Sequence, residues 1–242
     1  MAANAGRRAV QQGNAARTVV RIAERGLSLV ELLVGVAIAL FIAAAGSTLL
    51  AGNLRESRNL LLEARLMQDL RSAADLVTRD LRRAGYWGDA EAGVWQRGAS
   101  GVTANPYTAL SPSAAASDAV AFRFSRDAAE NNTLDSNEQF GFRLHAGVLE
   151  MLLGSGNWQA MTDANTVSVT RFSVTPEVQT ITLDGVCASD CPAGSSTCPP
   201  RQQVRSLAIA LAGRATGDAS VLRSVRSAVR LRNDAVIGSC PT

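Results

Sequence analysis

The sequence predicts an α+β protein: a long N-terminal helix, membrane-spanning in its first half and amphipathic in its second, packed on an antiparallel β-sheet. Three observations predict it. An apolar run from Leu32 to Gly46 continues, broken only by Ser47 and Thr48, to Gly52. Apolar residues then recur at helical spacing as far as Ala84. Beyond residue 117 the period changes to two.

Residues 1–26 read as a leader rather than part of a fold. They are rich in Ala, Gln, Asn and Arg and show no apolar periodicity. All 24 basic residues of the chain are Arg. Five of them (Arg7, Arg8, Arg17, Arg21, Arg25) precede Gly26 against one acid, Glu24, whereas the rest of the chain is nearly neutral. The basic balance therefore belongs to the leader and gives no support to nucleic-acid binding by the body.

Leu32 to Gly52 would span roughly 31 Å as a helix, close to the hydrocarbon thickness of a bilayer. Residues 27–53 form this transmembrane half. One carboxylate, Glu31, stands at its head. A charge inside a bilayer costs about 2.5–3.5 kcal/mol on insertion scales, so such a Glu calls for a partner or a purpose. Gly35, Ala39, Ala43 and Gly46 would let another helix approach closely.

Residues 54–85 form the amphipathic half. Leu62, Leu66, Leu70, Ala73, Val77, Leu81 and Ala84 mark one face, with Arg, Asp and Glu between them. No Pro interrupts the span, and Gly85 is a natural stop. Residues 86–242 are expected to be a β-rich periplasmic domain, opening with an irregular connection to residue 117. Alternation at Val120–Phe124, Phe140–His145, Val167–Val169, Phe172–Val174, Ile181–Leu183, Leu207–Leu211 and Val229–Leu231, with the largely apolar run Val148–Leu153, marks short strands of a mostly antiparallel sheet. Ala146-Gly147 permits a tight turn. The sheet would cover the apolar stripe of the helix.

Four Cys lie in the C-terminal quarter: Cys187, Cys191, Cys198 and Cys240. With the basic flank of the anchor inside, they face an oxidising compartment, and two disulfides are expected; three pairings remain open. Zinc is the weaker reading, because there is no CxxC pair and the single His145 is remote. Asp127, Asn131, Asn132, Asp135, Asn137 and Glu138 could offer oxygen ligands to Ca²⁺, but they lack the spacing and central Gly of an EF-hand loop. A solvated turn is the better reading. Arg223, Arg226, Arg230 and Arg232 could form a stripe for phosphates, although such residues are more often the wet face of a strand. His145 is expected on an exposed strand position. No metal, cofactor or catalytic constellation is expected, and the chain reads as a non-enzyme.

Arg25-Gly26-Leu27-Ser28-Leu29-Val30-Glu31, a basic leader followed by Gly, then Glu five residues on, then an apolar helix, resembles the prepilin cleavage and methylation signal of type IV pilins and pseudopilins. The resemblance implies cutting of the Gly26–Leu27 bond by prepilin peptidase, N-methylation of Leu27, and an assembly role for Glu31. Leu27 stands where Phe is commonest. The physical logic agrees: cleavage would create an α-amine one helical turn from Glu31. Pairing with a neighbouring subunit's amine would offset desolvation of both charges.

The likeness extends further. Asp80-Leu81-Arg82-Arg83-Ala84-Gly85-Tyr86-Trp87-Gly88 resembles the helix end of PilW-type minor pilins. Arg230-Leu231-Arg232-Asn233 is similar to the last strand of that family and of J-type pseudopilins of type II secretion. The implied function is a minor pilin, taken from the inner membrane into a type IV pilus to prime assembly near its tip. Implied partners are the prepilin peptidase, other minor and major pilins, the inner-membrane assembly platform and, before assembly, membrane lipid. The alternatives are a J-type pseudopilin and a membrane-anchored periplasmic binding module. A plain signal peptide cut near Ala43-Ala44-Ala45 is disfavoured, because it would orphan the helical pattern that continues to Ala84.

Overall fold

The computed structural model describes residues 26, 28–93 and 103–241; residues 1–25 of the expected leader, and Leu27, lie outside the described residues. The chain divides into two compact units, one ending at Asn53 and one beginning at Leu54. One helix, α1 (Leu29–Leu81), contributes to both.

In the first unit nothing among the described residues packs against α1. Leu29, Leu33, Phe41 and Leu50 are all more than half exposed, Phe41 by 77%. The helix is long and apolar enough to cross a membrane. Its two hydroxyls bond back to their own helix, Ser47 Oγ to the Ala43 carbonyl at 2.8 Å and Thr48 Oγ1 to that of Ala45 at 2.8 Å. Hydroxyls satisfied within the helix are compatible with an apolar solvent.

In the second unit Leu66, Leu70, Ala73, Val77 and Leu81 are buried, as the helical spacing predicts, and Leu62 packs at the margin. The helix ends at Leu81, three residues before the expected Ala84. Tighter turns take over there: the Arg83 N–H donates to the Asp80 carbonyl and the Ala84 N–H to that of Leu81.

The strands form two sheets, where the sequence suggested one. The first is an antiparallel meander of β1 (Leu110–Ser111), β2 (Ala119–Arg123), β3 (Gln139–His145), β4 (Val148–Leu153) and β5 (Trp158–Ala160). Ala146 and Gly147 join β3 to β4 with both φ angles positive, as a two-residue hairpin turn requires. The second sheet has the order β6 (Val167–Thr182), β7 (Arg201–Ala215), β8 (Asp218–Arg230), with β9 (Ala235–Ile237) paired to the start of β7. Three stretches expected as separate strands are thus mostly one, β6, with an irregularity between Val169 and Arg171.

The second sheet lies along α1. Glu63 is paired with Arg223 of β8, a Cβ on Gly213 of β7 would stand 3.3 Å from Leu70 Cδ2, and Thr78 Oγ1 lies 3.3 Å from Ser227 Oγ. Alternate residues of β7 (Leu207, Ile209, Leu211) and of β6 (Phe172, Val174) fill the space between. The meander adds Phe122, Phe124, Phe140 and Phe142; Phe124 and Phe140 stack with ring centroids 3.9 Å apart.

Candidate functional site

Two regions carry candidate function: the head of α1, and the place where the helix end meets the chain beyond β8.

At the head, Gly26 is exposed, and nothing among the described residues would lie within 4 Å of a Cβ there. The Ser28 carbonyl accepts the Leu32 N–H at 3.0 Å, which starts the helix. Glu31 sits in the first turn, exposed. A carboxylate there interacts favourably with the helix dipole, and its side chain forms no ion pair among the described residues. Leu27, the expected new terminus, lies outside those residues.

The second region joins residues far apart in sequence. The last helical carbonyls are taken by local turns, the Arg82 N–H donating to the Thr78 carbonyl at 3.2 Å, and the carbonyls of the segment that follows find donors in other parts of the fold. The Arg232 N–H donates to the Arg82 carbonyl at 3.3 Å, and Asn233 Nδ2 to that of Ala84 at 3.2 Å. Asn105 Nδ2 reaches the Gly85 carbonyl at 2.9 Å, and the Ser125 N–H the Tyr86 carbonyl at 2.9 Å. Gly85 holds φ +75°, and a Cβ there would stand 3.2 Å from Arg205 Nη2 and 3.4 Å from Asn233 Cβ. Glycine is favoured by the positive φ, and a side chain there would also crowd Arg205 and Asn233. The Gly85 N–H donates to the Arg123 carbonyl of β2 at 2.8 Å. The two motifs recognised in the sequence are thus halves of one joint.

Arg205, which sequence reasoning missed, is the buried pin of that joint. It is 7% exposed, and its guanidinium donates to the Thr108 carbonyl at 2.6 Å and the Asn233 carbonyl at 3.0 Å. Burial lowers its pKa, opposed by the charge of Asp234. An Arg among polar neighbours near the start of a strand carries no sequence signal of burial.

The acid- and amide-rich loop locks the joint from the other side. Trp87 Nε1 donates to Asn132 Oδ1 at 2.6 Å, the Gly88 N–H to Glu130 Oε2 at 2.9 Å, and the Tyr107 hydroxyl to Glu130 Oε1 at 2.9 Å. Burial pushes the Glu130 carboxyl up, but hydrogen bonds from Ser125, Gly88, Asn132 and Tyr107 outweigh it and hold the pKa below its usual value. Fully buried Glu138 accepts the Arg126 N–H and the Asp135 N–H, each at 2.8 Å. Asn131 Nδ2 donates to Asp135 Oδ2 at 3.1 Å within the loop, while Asn131, Asn132 and Asn137 stay exposed: the loop is a solvated turn that also clasps the joint.

Cys187 bonds Cys240, and Cys191 bonds Cys198, which resolves the open pairing. Three of these sulfurs lie within 4.8 Å of one another, but all are consumed by the disulfides. The four Arg proposed as a stripe do not share one face. Arg223 turns to Glu63 on the helix, while Arg226 and Arg230 alternate outward and Arg230 pairs with Asp234 at 3.2 Å. His145 is an exposed strand residue, 3.4 Å from Glu150.

The family model of prepilin peptidase-dependent protein B matches residues 59–231, more than half of the chain. The chain belongs to that family. The match begins beyond Glu31, so it rests on the body and is independent of the signal at Gly26–Glu31. Body and signal point the same way, to a type IV pilin-related protein with prepilin peptidase as a partner. No curated protein and no solved structure matches the chain.

Proposed function

We propose that this member of the family is a PilW-like minor pilin of a type IV pilus, cut between Gly26 and Leu27, N-methylated at Leu27, and built into the filament to prime assembly near its tip. Its role is structural rather than catalytic. The observation that carries the reading is an exposed Glu31 heading an apolar helix that nothing among the described residues covers, in a prepilin peptidase-dependent family.

In an assembled filament other apolar helices replace lipid around residues 29–53. Glu31 would then be removed from water and would need a cation at its own depth, which the amine of a neighbour's processed terminus supplies. Before assembly the helix anchors the subunit in the inner membrane, with the body in the periplasm, where its disulfides persist.

The test is Glu31→Ala in cells that make pili. Incorporation of the subunit into sheared filaments should fall by at least about 10-fold, since removing one partner of a buried ion pair typically costs 3–5 kcal/mol. The purified full-length variant should melt as the unsubstituted protein does, because Glu31 makes no contact with the second unit among the described residues. Normal incorporation of the variant would refute the assembly role. A subunit recovered only in secretion pseudopili would assign it instead to the J-type alternative, which the Arg230–Asn233 resemblance shares.

A further inference from the structure

Beside the joint, a cavity of about 300 Å³ is lined by Arg82, Arg83, Tyr86, Ser125, Arg232 and Asn233. Half of the lining residues are arginines and none is an acid. All three arginines are exposed, and none takes part in an ion pair among the described residues, whereas Arg143, Arg223 and Arg230 each hold a carboxylate. Their placement is built. Arg83 stacks over the Phe124 ring at 4.1 Å, and the Arg232 backbone bonds that of Arg82 at 3.3 Å. Tyr86, 51% exposed, adds an aromatic wall. Cationic residues near a helix C-terminus answer its dipole, which accounts for Arg82 and Arg83. It does not account for Arg232, which arrives from beyond β8.

From three arginines that line one cavity and hold no carboxylate among the described residues we infer that it binds a carboxylate presented by another polypeptide of the assembly, an Asp or Glu side chain or a chain terminus. Guanidinium forks match a carboxylate bidentately, and the arginine stems and Tyr86 ring suit the methylenes that carry it. The polypeptide source rests on the pilin-related reading; the oxyanion chemistry does not.

The experiment is a titration of the full-length protein in detergent with a triglutamate peptide, a triglutamine peptide and inorganic phosphate. Triglutamate should bind saturably and triglutamine should not. Arg82→Gln with Arg232→Gln should weaken triglutamate by at least about 10-fold. Arg65→Gln with Arg71→Gln, which removes equal charge from exposed positions elsewhere on the helix, should change nothing. If the first pair does not fold, Arg82→Lys with Arg232→Lys keeps the charge and loses the fork, and should still weaken binding several-fold. Three outcomes overturn the inference: binding without saturation, an equal loss in the control pair or none in the cavity pair, or displacement of the peptide by phosphate at equal or lower concentration, which marks a free-anion site. None of these depends on processing at Gly26 or on Glu31, so the assembly reading stands or falls separately.

Discussion

The two halves of α1 are made of one helix and meet opposite fates. From Leu29 to Asn53 every residue is exposed; from Leu66 to Leu81 one stripe is sealed against the second sheet. The difference lies in the pattern. A helix apolar all round has no wet side to turn outward, so no single sheet could complete it, and it must be surrounded by lipid or by other helices. A helix with one apolar stripe is completed by one sheet. The contrast separates a half left uncovered by the fold, to which the proposed function gives assembly, from a half that the fold itself buries, and substitutions should sort accordingly.

The largest effect is expected in the body. Replacing Cys187 and Cys240 by Ala opens a closed loop of 53-residue separation, and chain entropy puts the loss at about 4 kcal/mol. Replacing Cys191 and Cys198, separated by 7, should cost about 2.5 kcal/mol. Chemical denaturation of the two variants checks the ranking, and a reversed order breaks it. Leu81→Ala, at a fully buried position, should destabilise by about 2–5 kcal/mol. Gly85→Ala should cost about 1–3 kcal/mol, because it strains the backbone and crowds Arg205 and Asn233.

Acid should act on the body through the clasp. The Glu130 pKa is lowered on folding, so its contribution is present above the ordinary carboxylate pKa and is lost as pH falls through the lower folded value. Melting against pH should show a steeper acid limb in the native protein than in Glu130→Gln. Equal limbs would remove Glu130 from the account. The smallest effect sharpens the contrast: Leu33→Ala, in the uncovered half, should leave the stability of the body within about 0.5 kcal/mol.

Much of this was legible in the sequence, for reasons that vary by element. The stripe from Leu62 to Ala84 was plain because seven apolar positions repeat at helical spacing. The β3–β4 hairpin was plain because an alternating run, Phe140–His145, and a largely apolar one, Val148–Leu153, flank Ala146-Gly147. Most of β8 was not: its outward residues are Leu222, Ser224, Arg226, Ala228 and Arg230, and its inward ones include Arg223 and Ser227, so alternation is of position rather than of polarity. The split into two sheets was hidden because alternation reports a strand's faces and not its neighbours. The resemblance singled out both the helix end and Arg230–Asn233, but only the fold shows that they touch. The burial of Arg205, Tyr107 and Glu138 was not legible, although Glu138 had been singled out as an oxygen donor, because a polar residue announces burial only through partners distant in sequence.

The division of α1 into an assembly half and a folding half depends on what stands at its head. Intact-mass analysis of the protein extracted from membranes of cells with active prepilin peptidase tests it most directly. The account expects a mature chain beginning at Leu27. A chain that keeps its arginine-rich leader, or one that begins at Gly46 with the apolar helix removed, would contradict it.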